Sequence, residues 1–195
     1  MIIKSPITAA TLIALCMIFY NFRQAHAQPL VGETLTQAQS ANGEYISWRE
    51  HLIDDPVSAG VNFSGSDGFV MGDIDKDGTE DIVSVHESDA QYDSTLFQED
   101  FVPPVAGHVR IHYGSNDPDF WFNITVAEAE DVPAPEDVVL VDLNRDGWLD
   151  MVVAAERSHL IYLQNPGNGS RSETWQRLIL PHTRGKGSYI RVFAA

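Results

Sequence analysis

Asp73-Ile74-Asp75-Lys76-Asp77-Gly78-Thr79-Glu80-Asp81 is the most informative segment of this sequence, and Asp142-Leu143-Asn144-Arg145-Asp146-Gly147-Trp148-Leu149-Asp150 nearly repeats it. Both stretches carry an oxygen-bearing side chain at positions 1, 3, 5 and 9 and a glycine at position 6. Calcium takes several oxygen ligands, at about 2.3–2.6 Å, from carboxylates, amides and backbone carbonyls alike. Alternate residues of a tightly turned loop can face one centre, and glycine permits the turn that returns position 9 to it. The pattern therefore predicts two calcium-binding loops.

The predicted ligands are the side chains at positions 1, 3, 5 and 9 and the backbone carbonyl at position 7. They are Asp73, Asp75, Asp77, Thr79 and Asp81 in the first loop, and Asp142, Asn144, Asp146, Trp148 and Asp150 in the second. Without a cation, the four carboxylates of the first loop would repel one another. The alternative is a solvated turn that merely carries acidic side chains, but two copies with one spacing favour the metal site.

The residues on either side of the loops show which kind of calcium loop is present. An EF-hand has a helix on each side and a bidentate glutamate at position 12, whereas position 12 here is Ser84 in one loop and Val153 in the other. Each loop lies between two short apolar runs rich in β-branched residues, which are typical of buried strands. These runs are Phe69–Gly72, Ile82–Val85, Val138–Val141 and Met151–Ala154. The predicted unit is strand, calcium loop, strand.

This unit resembles the FG-GAP and VCBS repeats that build integrin-like β-propellers. The signature Asp-x-Asp-x-Asp-Gly-x-x-Asp is complete at Asp73–Asp81, and Asp142–Asp150 has asparagine in place of its second aspartate. The resemblance implies an all-β propeller of four-stranded blades that is stabilised by calcium. It also implies recognition of a protein or a glycan on one face of the propeller.

Tryptophan-led segments recur along the chain and suggest where each repeat begins. Such segments start at Trp48, Trp121 and Trp175. The prediction is a first blade at about 45–114, a second at about 118–166 and the start of a third at about 172–195. A propeller needs at least about four blades, so we expect a fragment of a longer protein. The alternative is a short protein that closes by self-association.

The N-terminal region has the features of an export signal. Lys4 precedes an apolar run, and Ala25-His26-Ala27 matches a signal-peptidase cleavage site, so residues 1–27 are predicted to be a signal peptide. An uncleaved anchor is the alternative. The expected location is secreted, either extracellular or periplasmic, with no membrane span after cleavage. Residues 28–44 are expected to be a flexible lead-in.

The formal charge of −16 limits the partners that the chain can bind. It argues against nucleic acid and anionic lipid, and part of the negative charge would be neutralised by bound cations. The only cysteine, Cys16, lies in the predicted signal peptide, so no disulfide is expected afterwards. The insertion between Ser88 and Ala106 is either a binding loop or a tolerated surface excursion.

No catalytic motif stands out in the sequence. It has no nucleophile elbow, phosphate-binding glycine loop or dinucleotide fingerprint, and His86-Glu87 lacks the second histidine of a zinc helix. The prediction is a non-catalytic binding or scaffolding module. Two alternatives stay open: the propeller part of a secreted carbohydrate-active enzyme, such as a polysaccharide lyase or sugar dehydratase, and a dockerin-like calcium module.

Overall fold

The computed structural model describes residues 37–45, 50–88, 106–156, 159–186 and 189–194. The predictions for the signal peptide 1–27, for residues 28–36 of the lead-in, for Trp48 and for most of the 88–106 insertion lie outside these residues. The chain divides into two compact units, Met1–Leu52 and Ile53–Ala195. In the described part of the first unit, Gln39 and Tyr45 form an isolated antiparallel bridge.

In the described residues of the second unit, nearly all of the regular secondary structure consists of β-strands. A one-turn helix, α1 (Pro56–Ala59), precedes them; the Asp55 carboxylate caps its N-terminus, and Gly60 ends it at a φ of 65°. The strands are β1 (Ser66–Gly72), β2 (Asp81–His86), β3 (His108–Tyr113), β4 (Phe122–Glu128), β5 (Pro135–Val141), β6 (Asp150–Ala155), β7 (Leu160–Gln164) and β8 (Gln176–Ile179). Short 3-10 turns lie at Ala129–Asp131, Gly167–Gly169 and Pro181–Thr183. In the described residues, no helix is long and apolar enough to span a membrane.

The eight strands form two four-stranded antiparallel sheets, in the orders β1-β2-β3-β4 and β5-β6-β7-β8. The acidic loops are the β1–β2 and β5–β6 connections, so each loop is flanked by strands, as the sequence predicts. The register pairs Gly72 with Asp81 in the first sheet and Val141 with Asp150 in the second. The all-β prediction is confirmed, and the described residues contain no closed sheet.

The sheets group the strands differently from the predicted repeats. The Trp121 segment was expected to begin the second blade, but it supplies β4, which pairs with β3 as the last strand of the first sheet. The Trp175 segment likewise supplies β8, the last strand of the second sheet. Each sheet therefore begins with the strand before its acidic loop and continues in chain order. Short connections favour this pairing of consecutive strands. The described residues 50–54 of the Trp48 segment and 191–194 at the end of the predicted third blade form no strand.

The hydrophobic core includes buried side chains from both sheets, with Val83, Ile111 and Met151 among those fully buried. The first strands of the two sheets approach each other closely. A Cβ built on Gly68 would lie 2.7 Å from the Cα of Asp137, so this contact requires a residue without a side chain. The close contact places the β1–β2 loop within reach of side chains from the second sheet.

Candidate metal centre

The two acidic loops share three internal hydrogen bonds at equivalent positions. The position-1 carboxylate accepts from the glycine N–H at position 6, at 3.1 Å in the first loop and 2.9 Å in the second. The position-3 oxygen accepts from the N–H at position 5, at 3.2 and 2.9 Å. The position-5 carboxylate accepts from the N–H at position 7, at 2.8 and 2.9 Å. The repeated sequence thus folds into a repeated structure.

The backbone conformations of the loops also match. Gly78 and Gly147 at position 6 have φ values of 88° and 92°, as expected where the chain turns through the left-handed region. Lys76 and Arg145 at position 4 also adopt this region, with φ values of 60° and 64°. A left-handed residue that is not glycine is uncommon, and the sequence pattern gives no sign of it.

Asp81, at position 9, anchors the first loop to the sheet. Its side chain is wholly buried, and its two oxygens accept from the backbone N–H groups of Ile74 at 2.8 Å and Gly114 at 3.0 Å. Burial raises the pKa of Asp81 to about 6, although these two hydrogen bonds oppose the rise, and the nearby Asp75 and Asp77 add to it. A bound cation would lower this pKa again.

Asp150 has the same role in the second loop. It is wholly buried and accepts from the backbone N–H groups of Leu143 at 3.1 Å and Asn165 at 2.9 Å. The Tyr162 hydroxyl donates to it as well, at 3.0 Å. Each loop is therefore fixed at position 9 by two backbone donors, one within the loop and one after the third strand of its sheet.

Three of the predicted ligands in the first loop converge. Asp73, Asp75 and Asp81 each place a carboxylate oxygen within 4.8 Å of the others. One Asp73 oxygen, Oδ1, is buried and has no hydrogen-bond partner. A buried carboxylate oxygen without a partner is costly, and a cation at the shared centre would satisfy it. These residues fit an oxygen-ligated metal ion.

The second loop is arranged differently at its outer end. Asn144 donates its side-chain N–H to the Asp146 carboxylate at 2.8 Å. Hydrogen bonds from Trp148 and Asn144 lower the pKa of Asp146. In the described part of the chain, its acids do not form a group like that of the first loop. The structure thus favours the first loop as the metal centre. For Thr79 and Trp148 it gives the backbone N–H contacts, and the role of their carbonyls as ligands stays a prediction.

Side chains from the second sheet reach the first loop, which the sequence pattern does not reveal. Arg171, in the β7–β8 connection, pairs with Asp75 through Nε and with Asp77 through its terminal nitrogen at 2.8 Å. Asn165 donates to the Ile74 carbonyl at 3.1 Å. These partners are more than ninety residues apart in the chain, so no local motif predicts the contacts.

The two loops also contact each other directly. The Lys76 ammonium lies 4.3 Å from the centroid of the Trp148 ring, which is a cation–π contact. A Cβ built on Gly167 would lie 3.3 Å from the indole nitrogen of Trp148. Trp148 is therefore packed between the first loop and the β7–β8 connection, in addition to its predicted backbone role.

A second acidic group, also absent from the predictions, consists of Glu87, Glu136 and Glu156. Their carboxylate oxygens lie within 4.8 Å of one another. Glu87 and Glu136 share a hydrogen bond, and burial, Asp67 and Glu136 raise the pKa of Glu87 to about 8. We assign the shared proton to Glu87, which donates to Glu136. The pair is thus held together by a proton at neutral pH.

The raised pKa of Glu87 predicts a pH-dependent stability. Between its unfolded pKa near 4.5 and its folded pKa near 8, the folded state binds more protons, so stability falls as pH rises. Glu87→Gln mimics the protonated side chain. We expect it to match the wild-type free energy of unfolding at pH 5 and to exceed it at pH 8.5, measured by urea unfolding. The exposed Glu130→Gln is the control, and an equal gain in both variants would contradict this account.

A buried polar network lies on β2 and β3. The Ser84 hydroxyl contacts Nε2 of His86 at 2.8 Å and Nε2 of His112 at 2.7 Å. Asp54 lies 3.5 Å from Nδ1 of His112 and pairs with Arg110. A serine, a histidine and an aspartate thus contact one another in turn. Ser84 and His112 are buried, the Asp54 side chain is 7% exposed, and all three have partners within the network. We interpret it as a satisfied core network.

Comparisons with protein-family models, with curated proteins and with solved structures return no match to this chain. The case for a function therefore rests on the residues and contacts described above.

Proposed function

We propose that this chain is a secreted, calcium-binding module of β-propeller architecture, related to FG-GAP and VCBS repeats, with a non-catalytic role in binding a protein or a glycan. The observation that carries the proposal is the convergence of Asp73, Asp75 and Asp81, together with the buried, unpartnered Oδ1 of Asp73. Three hydrogen bonds of the first loop recur in the second loop, at Asp142–Asp150.

Calcium is the metal that suits this donor set best. The converging donors are carboxylate oxygens, and hard cations such as calcium prefer oxygen ligands, whereas zinc and copper favour imidazole and thiolate. The loop is irregular and includes two left-handed residues, Lys76 and Gly78. Calcium accepts flexible geometry more readily than magnesium does. A divalent ion would join the end of β1 to the start of β2 through Asp73 and Asp81.

The propeller is supported by apolar side chains on β1 that are exposed, whereas the side chains at the equivalent positions on β5 are packed. On β5, Val138 belongs to the core and is only 4% exposed, and the partly buried Leu140 packs against the core. Their equivalents on β1, Phe69 and Met71, are 68% and 50% exposed. In a propeller, these side chains would pack against another blade in the way that β5 packs against the first sheet.

The segment after β8 supports the same architecture. The Val192 N–H donates to the Asp137 carboxylate of β5 at 3.0 Å. Asp137 is also the β5 residue that contacts Gly68 of β1. Asp137 of β5 therefore contacts both β1 and the segment 189–194. In a propeller, the innermost strands of successive blades lie side by side, and β1, β5 and this segment follow that order.

Calcium binding is tested by thermal unfolding with and without a chelator. Saturating calcium at about 100 times Kd would add about 2.7 kcal/mol of stability, so we expect the melting temperature to rise by about 5 °C or more. Asp73→Ala removes the unpartnered oxygen and should abolish most of this rise. Asp117→Ala, at an exposed aspartate outside the loops, should preserve it. A wild-type melting temperature that is the same in calcium and in chelator would overturn the proposal.

A further inference from the structure

Arg171 already supplies a positive charge to the proposed calcium loop. Its Nε pairs with Asp75, and its terminal nitrogen donates to Asp77 at 2.8 Å. The arginine lies in the β7–β8 connection of the second sheet, whereas both aspartates belong to the β1–β2 loop. The two aspartates stand at positions 3 and 5, where the proposed ion would draw its ligands.

The guanidinium is held in place by packing as well as by charge. It lies 4.8 Å from the centroid of the Tyr113 ring. Tyr113 is buried, and its hydroxyl donates at 2.7 Å to the carbonyl of Ser170, which precedes Arg171 in the chain. The Trp175 indole donates to the same carbonyl at 3.1 Å. The position of the arginine is therefore set by contacts outside the loop, independently of its pairing with Asp75 and Asp77.

An arginine and a divalent ion cannot both use the same carboxylates without cost. Two cations that share Asp75 and Asp77 repel each other, and each weakens the hold of the aspartates on the other. The second loop offers a natural comparison. Its position 3 is the uncharged Asn144, which donates to Asp146 within the loop. Lys76 acts on Asp146 through its charge, but competition from an arginine that pairs with both position 3 and position 5 is expected at the first loop only.

We propose that Arg171 is an internal counter-cation that occupies the carboxylates of the first loop in the absence of metal and is displaced from Asp75 and Asp77 when calcium binds. This inference rests on the proposed calcium function and adds its regulation. Because Arg171 lies in the β7–β8 connection of the second sheet, loop occupancy controls one of the contacts between the first loop and that sheet. The arginine lowers calcium affinity and keeps the metal-free loop folded.

The test compares Arg171→Gln with Arg177→Gln in the full-length chain. Arg177 is a matched control, since it belongs to the same sheet, is 34% exposed against 40% for Arg171, and pairs at 2.7 Å with Asp131 outside the loops. Calcium chloride is titrated into 15N-labelled protein. The backbone amides of Gly78 and Gly147, which donate to the position-1 carboxylates, report each loop separately.

We expect Arg171→Gln to lower the calcium Kd reported by the Gly78 amide about tenfold. The response of the Gly147 amide to calcium should be unchanged. Arg171→Gln should also lower the melting temperature in chelator more than Arg177→Gln does. In the wild type, the Nε–H resonance of Arg171 should shift in step with the Gly78 amide. Arg171→Lys keeps the charge without the planar fork, so its affinity should lie between those of the wild type and Arg171→Gln.

The outcomes separate this inference from the proposed function. Equal or weaker calcium affinity at Gly78 in Arg171→Gln than in Arg177→Gln would overturn the inference alone. No response of Gly78 to calcium in any variant would overturn the inference and the calcium function together. A response that appears only in Arg171→Gln would support competition in its strongest form.

Discussion

Replacing Asp81 by alanine is expected to lower the free energy of unfolding by about 3 kcal/mol or more, even in the presence of a chelator. The carboxylate is wholly buried and is the acceptor for the backbone N–H groups of Ile74 and Gly114. Each buried donor that loses its partner costs about 1–3 kcal/mol. The measurement is urea unfolding in excess chelator, so that loss of metal does not contribute.

Two variants show whether the anchoring hydrogen bonds are responsible. Asp81→Asn keeps the size of the side chain but retains only one acceptor oxygen, so its loss should be about half that of Asp81→Ala. Glu80→Ala removes an adjacent exposed acid and should change stability by no more than about 0.5 kcal/mol. If Asp81→Ala unfolds with the same free energy as Glu80→Ala, Asp81 does not anchor the loop as described.

Gly107→Ala is expected to destabilise the protein by about 3 kcal/mol or more, because the added methyl group has no room. A Cβ at this position would lie 1.9 Å from the carbonyl oxygen of Val132 and 2.6 Å from Cδ of Pro135. The Gly107 carbonyl also accepts from the Ala129 N–H at 2.8 Å. This glycine therefore holds the start of β3 against the connection between the two sheets.

The control for this second prediction is Gly60→Ala. Gly60 ends α1 with a φ of 65° and has open space around its Cα, so the change costs only the left-handed conformation, about 1–2 kcal/mol. Gly107 has no positive φ, so the loss of stability in Gly107→Ala comes only from the lack of space for the methyl group. Thermal and urea unfolding of both variants should rank Gly107→Ala as clearly the less stable. A reversed ranking would contradict the close contact with Val132.

The strands and loops could be predicted because their determinants are local. A short β-branched run before an acidic turn, as at Val138–Val141, predicts both a strand and its end. The grouping of strands into sheets could not be read in this way. Trp121 and Trp175 mark strands correctly, but a strand-leading tryptophan does not say whether the strand opens one sheet or closes the previous one.

The candidate site was predictable only in part, for a related reason. The spacing of Asp73, Asp75 and Asp81 reveals donors that a tight turn can bring together. It cannot reveal Arg171, which reaches the loop only after two sheets have packed. The burial that places Asp81 against backbone donors, and the proton between Glu87 and Glu136, likewise arise from the packed fold.

The contacts of Asn165 and Arg171 with the first loop bear on how such a protein could be divided or engineered. A peptide ending near Glu128 would contain every acid of Asp73–Asp81 yet lack the amide and the guanidinium that the second sheet contributes. Grafting a single repeat onto a foreign scaffold would transfer the motif without its support. The smallest unit that keeps these contacts is consequently the pair of sheets. Duplication or shuffling of such modules would be expected to move both sheets together.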